Sequence, residues 1–101
     1  MTTIVIPRLA GTRDAFRQLL DDQGVPAVLS GQTVVVLCRE VVSGSSSYAD
    51  EVVHQVLAVR GARELVLVGG PPLFTGRVLG AAERRGLAGR VRTGAAADVM
   101  S

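Results

Sequence analysis

Two short aliphatic runs, Thr33-Val34-Val35-Val36-Leu37-Cys38 and Glu64-Leu65-Val66-Leu67-Val68, constrain this chain more than any other feature. Neither alternates polar with apolar side chains, so each reads as a strand covered on both faces, the habit of parallel sheets. The segment between them carries Tyr48, Ala49, Val52, Val53, Val56, Leu57 and Val59 on one side at helical spacing. Asp50, Glu51, His54 and Gln55 take the other side, which is read as solvent-facing. Strand, helix and strand in that order make a βαβ unit, and its two strands must run parallel.

The flanking segments extend the pattern. Thr2 to Ile6 is β-branched and stops at Pro7, a first strand. Thr12 is placed to cap a helix whose apolar residues are Ala15, Phe16, Leu19 and Leu20, with Gly24 as its stop. Val25 to Leu29 reads as a short edge strand, because Pro26 removes a ladder donor. Gly61 ends the second helix. After Gly69-Gly70-Pro71-Pro72, a third helix runs to Arg85 with Phe74, Val78, Ala81 and Ala82 inward and Gly86 as its stop. Leu87 to Arg92 is read as a last short strand. The sequence thus predicts an α/β fold: a central mixed β-sheet of four to five strands packed with about three α-helices.

At 101 residues the chain closes one core and not two. It is read as a single domain over 1–101: an N-terminal strand, helix and edge strand (1–32), a core (33–92), and a small-residue tail (93–101) expected to be mobile or at most locally helical. Only Phe16, Tyr48 and Phe74 are aromatic, so aliphatic side chains fill the interior and each ring is expected to anchor it. All eleven basic residues are arginine, for a net charge of +2, and no stacking aromatics accompany them, so nucleic acid is not expected as a partner. One cysteine, Cys38, and one histidine, His54, permit neither a disulfide framework nor a multi-ligand metal site. No cofactor is expected. The first residues lack a basic signal region and no apolar run is long enough to span a bilayer, so a reducing, cytoplasmic setting is expected.

The remaining feature is Gly44-Ser45-Ser46-Ser47-Tyr48-Ala49-Asp50-Glu51, which joins the central strand to the amphipathic helix. The simplest reading is capping: Ser46 or Ser47 accepts a bond from a backbone N–H of the first turn, and Asp50 stands where a capping box places its acid. A catalytic reading of serine with His54 and Asp50 fails on geometry, because one helix does not present nucleophile, base and orienting acid in line. Catalytic residues are therefore not assigned. Cys38 is read as a buried small hydrophobe, and Arg84 and Arg85 as cations favoured at a helix C-terminus.

A hydrophobic strand, a serine-rich loop, a helix opening on Tyr48-Ala49-Asp50-Glu51, a Leu-Val-Leu-Val strand and a helix closing at Arg85-Gly86-Leu87 together resemble the STAS domains of bacterial anti-anti-sigma factors, over roughly 33–92. The closer likeness is to a small STAS-like family of unknown function. The resemblance implies a non-catalytic regulatory module whose protein partner is an ATP-binding kinase of the anti-sigma type. It places the phosphorylatable serines of those factors on Ser45 and Ser46, with Ser46 foremost and Ser47 the remaining candidate; Gly44 and Ser47 stand where the pattern has aspartate and glycine. The implied contact face is Ser45, Ser46, Ser47, Tyr48, Asp50, Glu51 and His54. Two other readings stand beside it: a homo-oligomeric assembly component pairing through strand edges or helix faces, and a small-molecule or nucleotide binder at the same loop.

Overall fold

The structure, a computed structural model, describes residues 1–94. Its main sheet contains β1 (Thr2–Val5), β3 (Thr33–Leu37), β5 (Glu64–Val68) and β6 (Val91–Gly94), in that spatial order and with every neighbouring pair parallel. The helices α1 (Arg13–Asp22), α2 (Ser46–Val53) and α3 (Pro72–Arg84) fill the three crossovers. Between the main strands, β2 (Leu9–Ala10) and β4 (Ser43–Gly44) form a second, two-residue parallel pair. The expected α/β architecture with three helices is present, and the two apolar runs are adjacent parallel strands with Thr33 opposite Glu64.

Each crossover steps to the next strand in the same direction. Right-handed connections of that kind keep every helix on one face, and the packing shows it. One core cluster joins Ile4, Ile6, Val34, Val36, Cys38, Leu65 and Leu67 of the sheet to Phe16 and Leu20 of α1, Tyr48 and Val52 of α2, and Phe74 and Val78 of α3. The alternate residues Val35, Val66 and Val68 form a separate buried cluster, with Leu37 partly buried beside it. The central strand is therefore buried on both faces as expected, but among the described residues the helices account for only one of them.

Local signals fixed the ends of the helices. Thr12 caps α1 by accepting from the Ala15 N–H at 3.1 Å. The expected stops Gly24, Gly61 and Gly86 have φ of 64°, 74° and 71°, the left-handed region that ends helices on glycine. Beyond Val53 the helix widens into a π-helical stretch, His54–Val59, closed by the Arg60 N–H bonding to Gln55 O at 2.9 Å. That change of period keeps Val56 and Leu57 in the core but carries Val59, expected inside, out to solvent.

Three boundaries differ from the sequence reading. Residues 25–29 form no strand: Arg60 holds them as a loop, its guanidinium donating to Val25 O and Pro26 O while its own carbonyl accepts from the Leu29 N–H. The last strand begins at Val91, after a 3-10 turn at Ala88–Arg90, and takes in Thr93 and Gly94 of the expected tail. The rest of that tail, 95–101, lies outside the described residues. β1 is an edge strand, and Gln23 covers part of its free edge like a ladder partner, accepting from the Val5 N–H at 3.0 Å and donating to Val5 O at 2.8 Å.

Gly44 is where backbone meets core. A Cβ there would lie 2.3 Å from Cδ1 of Phe74. Gly44→Ala should therefore destabilise the fold by about 1–3 kcal/mol in chemical denaturation, as overpacking does. Gly76, inside α3 with nothing within 4 Å of an added Cβ, provides the contrast: Gly76→Ala should stabilise by about 0.5–1 kcal/mol.

Candidate functional site

The serine loop is stitched to its neighbours from both sides. Ser45, with extended backbone at φ −78° and ψ 162°, is the N-cap of α2: its Oγ accepts from the Tyr48 N–H at 3.0 Å and donates to Gly11 O at 2.7 Å. Its own N–H donates to Ala10 O at 2.9 Å. The Arg77 guanidinium, from α3, donates to Gly44 O. Capping was expected of Ser46 or Ser47, and the structure corrects the register by one residue, because only Ser45 lies against the Ala10–Gly11 backbone. With Ser45 as cap, the third helical residue is Tyr48, so Asp50 is in no capping box. Ser46 and Ser47 are exposed in the first turn.

Tyr48 does not belong to a contact face. It is fully buried beneath the loop, edge-on to Phe16 with ring centroids 5.4 Å apart and tilted against Phe74 at 6.3 Å. The three aromatics thus join all three helices. Burial, with Cys38 nearby, pushes the Tyr48 hydroxyl up to about 12, and burial likewise pushes the Cys38 thiol up to about 12. The hydroxyl has no hydrogen-bond partner among the described residues.

The acidic side chains are also engaged within the fold. Asp50 receives Nε and Nη2 of Arg85 at 2.8 and 2.7 Å, a bidentate pair, and Nη1 of Arg13 at 2.7 Å. Glu51, expected to face solvent, is only 2% exposed. It accepts from Gln55 at 2.9 Å and from Arg13 and Arg17 at 3.3 Å each. His54 Nδ1 stands 3.2 Å from Arg85 Nη1. α1 supplies Arg13 and Arg17, the end of α3 supplies Arg85, and the carboxylates of α2 lie between them. The hydrogen bonds from Arg85, and secondarily from Arg13, hold the Asp50 carboxyl well below its usual range against the opposing effect of burial. Burial disfavours charge on Glu51, but the bonds from Gln55 and Arg13 and the charge of Arg17 outweigh it and leave its carboxyl lowered.

No hydrolytic constellation is assembled from these groups. Ser45 Oγ has its hydrogen committed to Gly11 O, and nine residues of helix, about 13 Å of axis, separate Ser45 from His54. Asp50 orients arginines rather than the imidazole. The described sheet progresses in one direction only, so it has no reversal of strand order of the kind at which open α/β sheets place nucleotides. Among the described residues there is no group of three metal-ligating side chains, and no helix is long and apolar enough to cross a membrane.

What the sequence reading missed is apolar. Leu9 is 73% exposed, and Val42 and Leu73 are each 66% exposed. Leu9 and Val42 lie within strand-to-helix connections and Leu73 in the first turn of α3, at the carboxyl end of the sheet that also carries Ser46 and Ser47. Leu9 pairs with Ser43, the neighbour of Val42, and Leu73 precedes the Phe74 ring that meets Gly44. Compared with known proteins, the chain matches no family model, no curated protein and no solved structure.

Ser45→Ala should cost about 1 kcal/mol in denaturant unfolding, as loss of an N-cap does, with Ser46→Ala and Ser47→Ala within about 0.5 kcal/mol of wild type. Because Asp50 has a folded pKa below its ordinary 3.8, its contribution is present above that pH and is lost as pH falls toward the folded value; the acid limb of the stability curve should therefore be shallower in Asp50→Asn. The Cys38 thiol should resist alkylation at neutral pH in the native protein and react at the rate of a free thiol once unfolded.

Proposed function

We propose that this chain is a non-catalytic regulatory module that binds a protein partner through the carboxyl end of its sheet, with Ser46 as a phosphorylation switch. The observation that carries the reading is the coincidence of Leu9, Val42 and Leu73, exposed apolar side chains, with the two exposed serines at the start of α2. The buried core of an interface is more apolar than the rest of a protein surface, with polar side chains at the rim. The contact face differs from the one implied by resemblance: Tyr48, Asp50 and Glu51 are committed to the interior and to the arginines, and His54 borders the same network.

The serines divide by role. A phosphate on Ser45 would require breaking the bond to Gly11 O, whereas Ser46 and Ser47 carry their hydroxyls outside the fold. A phosphate on Ser46 adds about −1.5 to −2 charge at the positive end of a helix, and Asp50, one turn on, is already neutralised by Arg85 and Arg13. Modification therefore changes the charge of the contact surface without unfolding α2. By the likeness to anti-anti-sigma factors, the partner is an ATP-binding serine kinase.

Incubation with ATP and a kinase of that type tests the switch by intact mass: the wild-type chain should gain one phosphate and Ser46→Ala none. An unshifted wild-type mass argues against it. Val42→Asp should abolish the complex, measured by light scattering or titration calorimetry, while leaving the thermal midpoint within a few degrees, since surface changes away from packed features move stability by about 0.5 kcal/mol or less.

A further inference from the structure

A cavity of about 310 Å³ opens on the face of the sheet opposite α1, α2 and α3, lined by Val5, Leu37, Arg39 and Glu40. Val5 and Leu37 are register partners at the carboxyl ends of β1 and β3, and their side chains point away from the helices because their neighbours Ile4, Val36 and Cys38 belong to the helix-side core. They make an aliphatic floor in which Val5 is still 41% exposed. Arg39 and Glu40 follow in the turn after β3, which is pinned by the Cys38 N–H on Val68 O at 2.9 Å and the Val41 N–H on Cys38 O at 3.1 Å.

Arg39 is seated. A Cβ on Gly69 would lie 2.5 Å from Arg39 Cγ, so the stem of the arginine rests on bare glycine backbone, where φ is 71° and a side chain would be strained. Its guanidinium has no ion pair or hydrogen bond among the described residues, and neither has the Glu40 carboxylate. This contrasts with the arginines of the helix face, Arg13, Arg17 and Arg85, each of which is paired. The lining therefore combines an exposed cation and an exposed anion, neither paired among the described residues, with two aliphatic side chains, around a volume at the small end of the range for ligand pockets.

We propose that this cavity binds a free aliphatic α-amino acid. Its carboxylate pairs with Arg39, its ammonium with Glu40, and its branched side chain covers Val5 and Leu37. A guanidinium takes a carboxylate in a two-point geometry that an ammonium does not offer. None of the four lining residues belongs to the serine loop, so the assignment does not rest on modification of Ser46.

Thermal unfolding of the full chain with L-leucine tests the assignment, against isocaproate, which lacks the ammonium, isoamylamine, which lacks the carboxylate, and glycine, which lacks the side chain. Leucine should raise the midpoint in a concentration-dependent way. Each of the three analogues should bind at least about tenfold more weakly, as expected for loss of one charge-assisted contact or of the apolar cover. Arg39→Gln should abolish the rise and Glu40→Gln reduce it, and both variants should retain the unliganded midpoint because both positions are exposed. A midpoint unmoved by leucine overturns the proposal, as does a rise that Arg39→Gln leaves intact or that any of the three analogues reproduces in full.

Discussion

The whole structure depends on the direction in which the chain winds. From β1 to β3, β5 and β6 each crossover advances by one strand with the same hand, so three helices share one face and must pack side by side. Helices in that position need inward side chains for the sheet and lateral contacts for each other. Phe16, Tyr48 and Phe74 provide the first, one aromatic from each helix, meeting beneath the start of α2. Asp50 and Glu51 provide the second, drawing Arg13 and Arg17 from one side and Arg85 from the other.

That arrangement decides what the surface can offer. The middle helix holds its two neighbours through its acids, so the charged side that looked most like a recognition face is occupied by the fold's own arginines. The carboxyl end of the sheet is different: its connections are tied down by Ser45, Gly11 and Arg77, yet Leu9, Val42, Leu73, Ser46 and Ser47 project from that rigid frame. Function on loops held by a scaffold is the usual division of labour in α/β domains.

Much of the architecture was legible because its signals are local. The unbroken runs at 33–38 and 64–68 could only be buried strands, and Gly24, Gly61 and Gly86 stop helices because each takes a left-handed φ. The site was less legible because its determinants are distant in sequence. Glu51 reads as a surface acid until Arg13 and Arg17, more than thirty residues earlier, are brought against it. Three consecutive serines carry no signal for which one caps; the Gly11 carbonyl makes the choice. Val59 follows the apolar stripe in sequence but is turned outward by the π-helical stretch. β2 and β4, at two residues each, are too short to show any periodicity.

The acids of α2 bind its neighbouring helices together and are not a free contact face. A double-mutant cycle between Asp50 and Arg85, using Asp50→Asn and Arg85→Gln and read by urea unfolding at neutral pH, tests this most directly. A bidentate, partly exposed pair predicts a coupling of about 0.5–1 kcal/mol that shrinks as salt is added. A coupling indistinguishable from zero, with each single variant as stable as wild type, would mean that Asp50 does not tie α2 to α3.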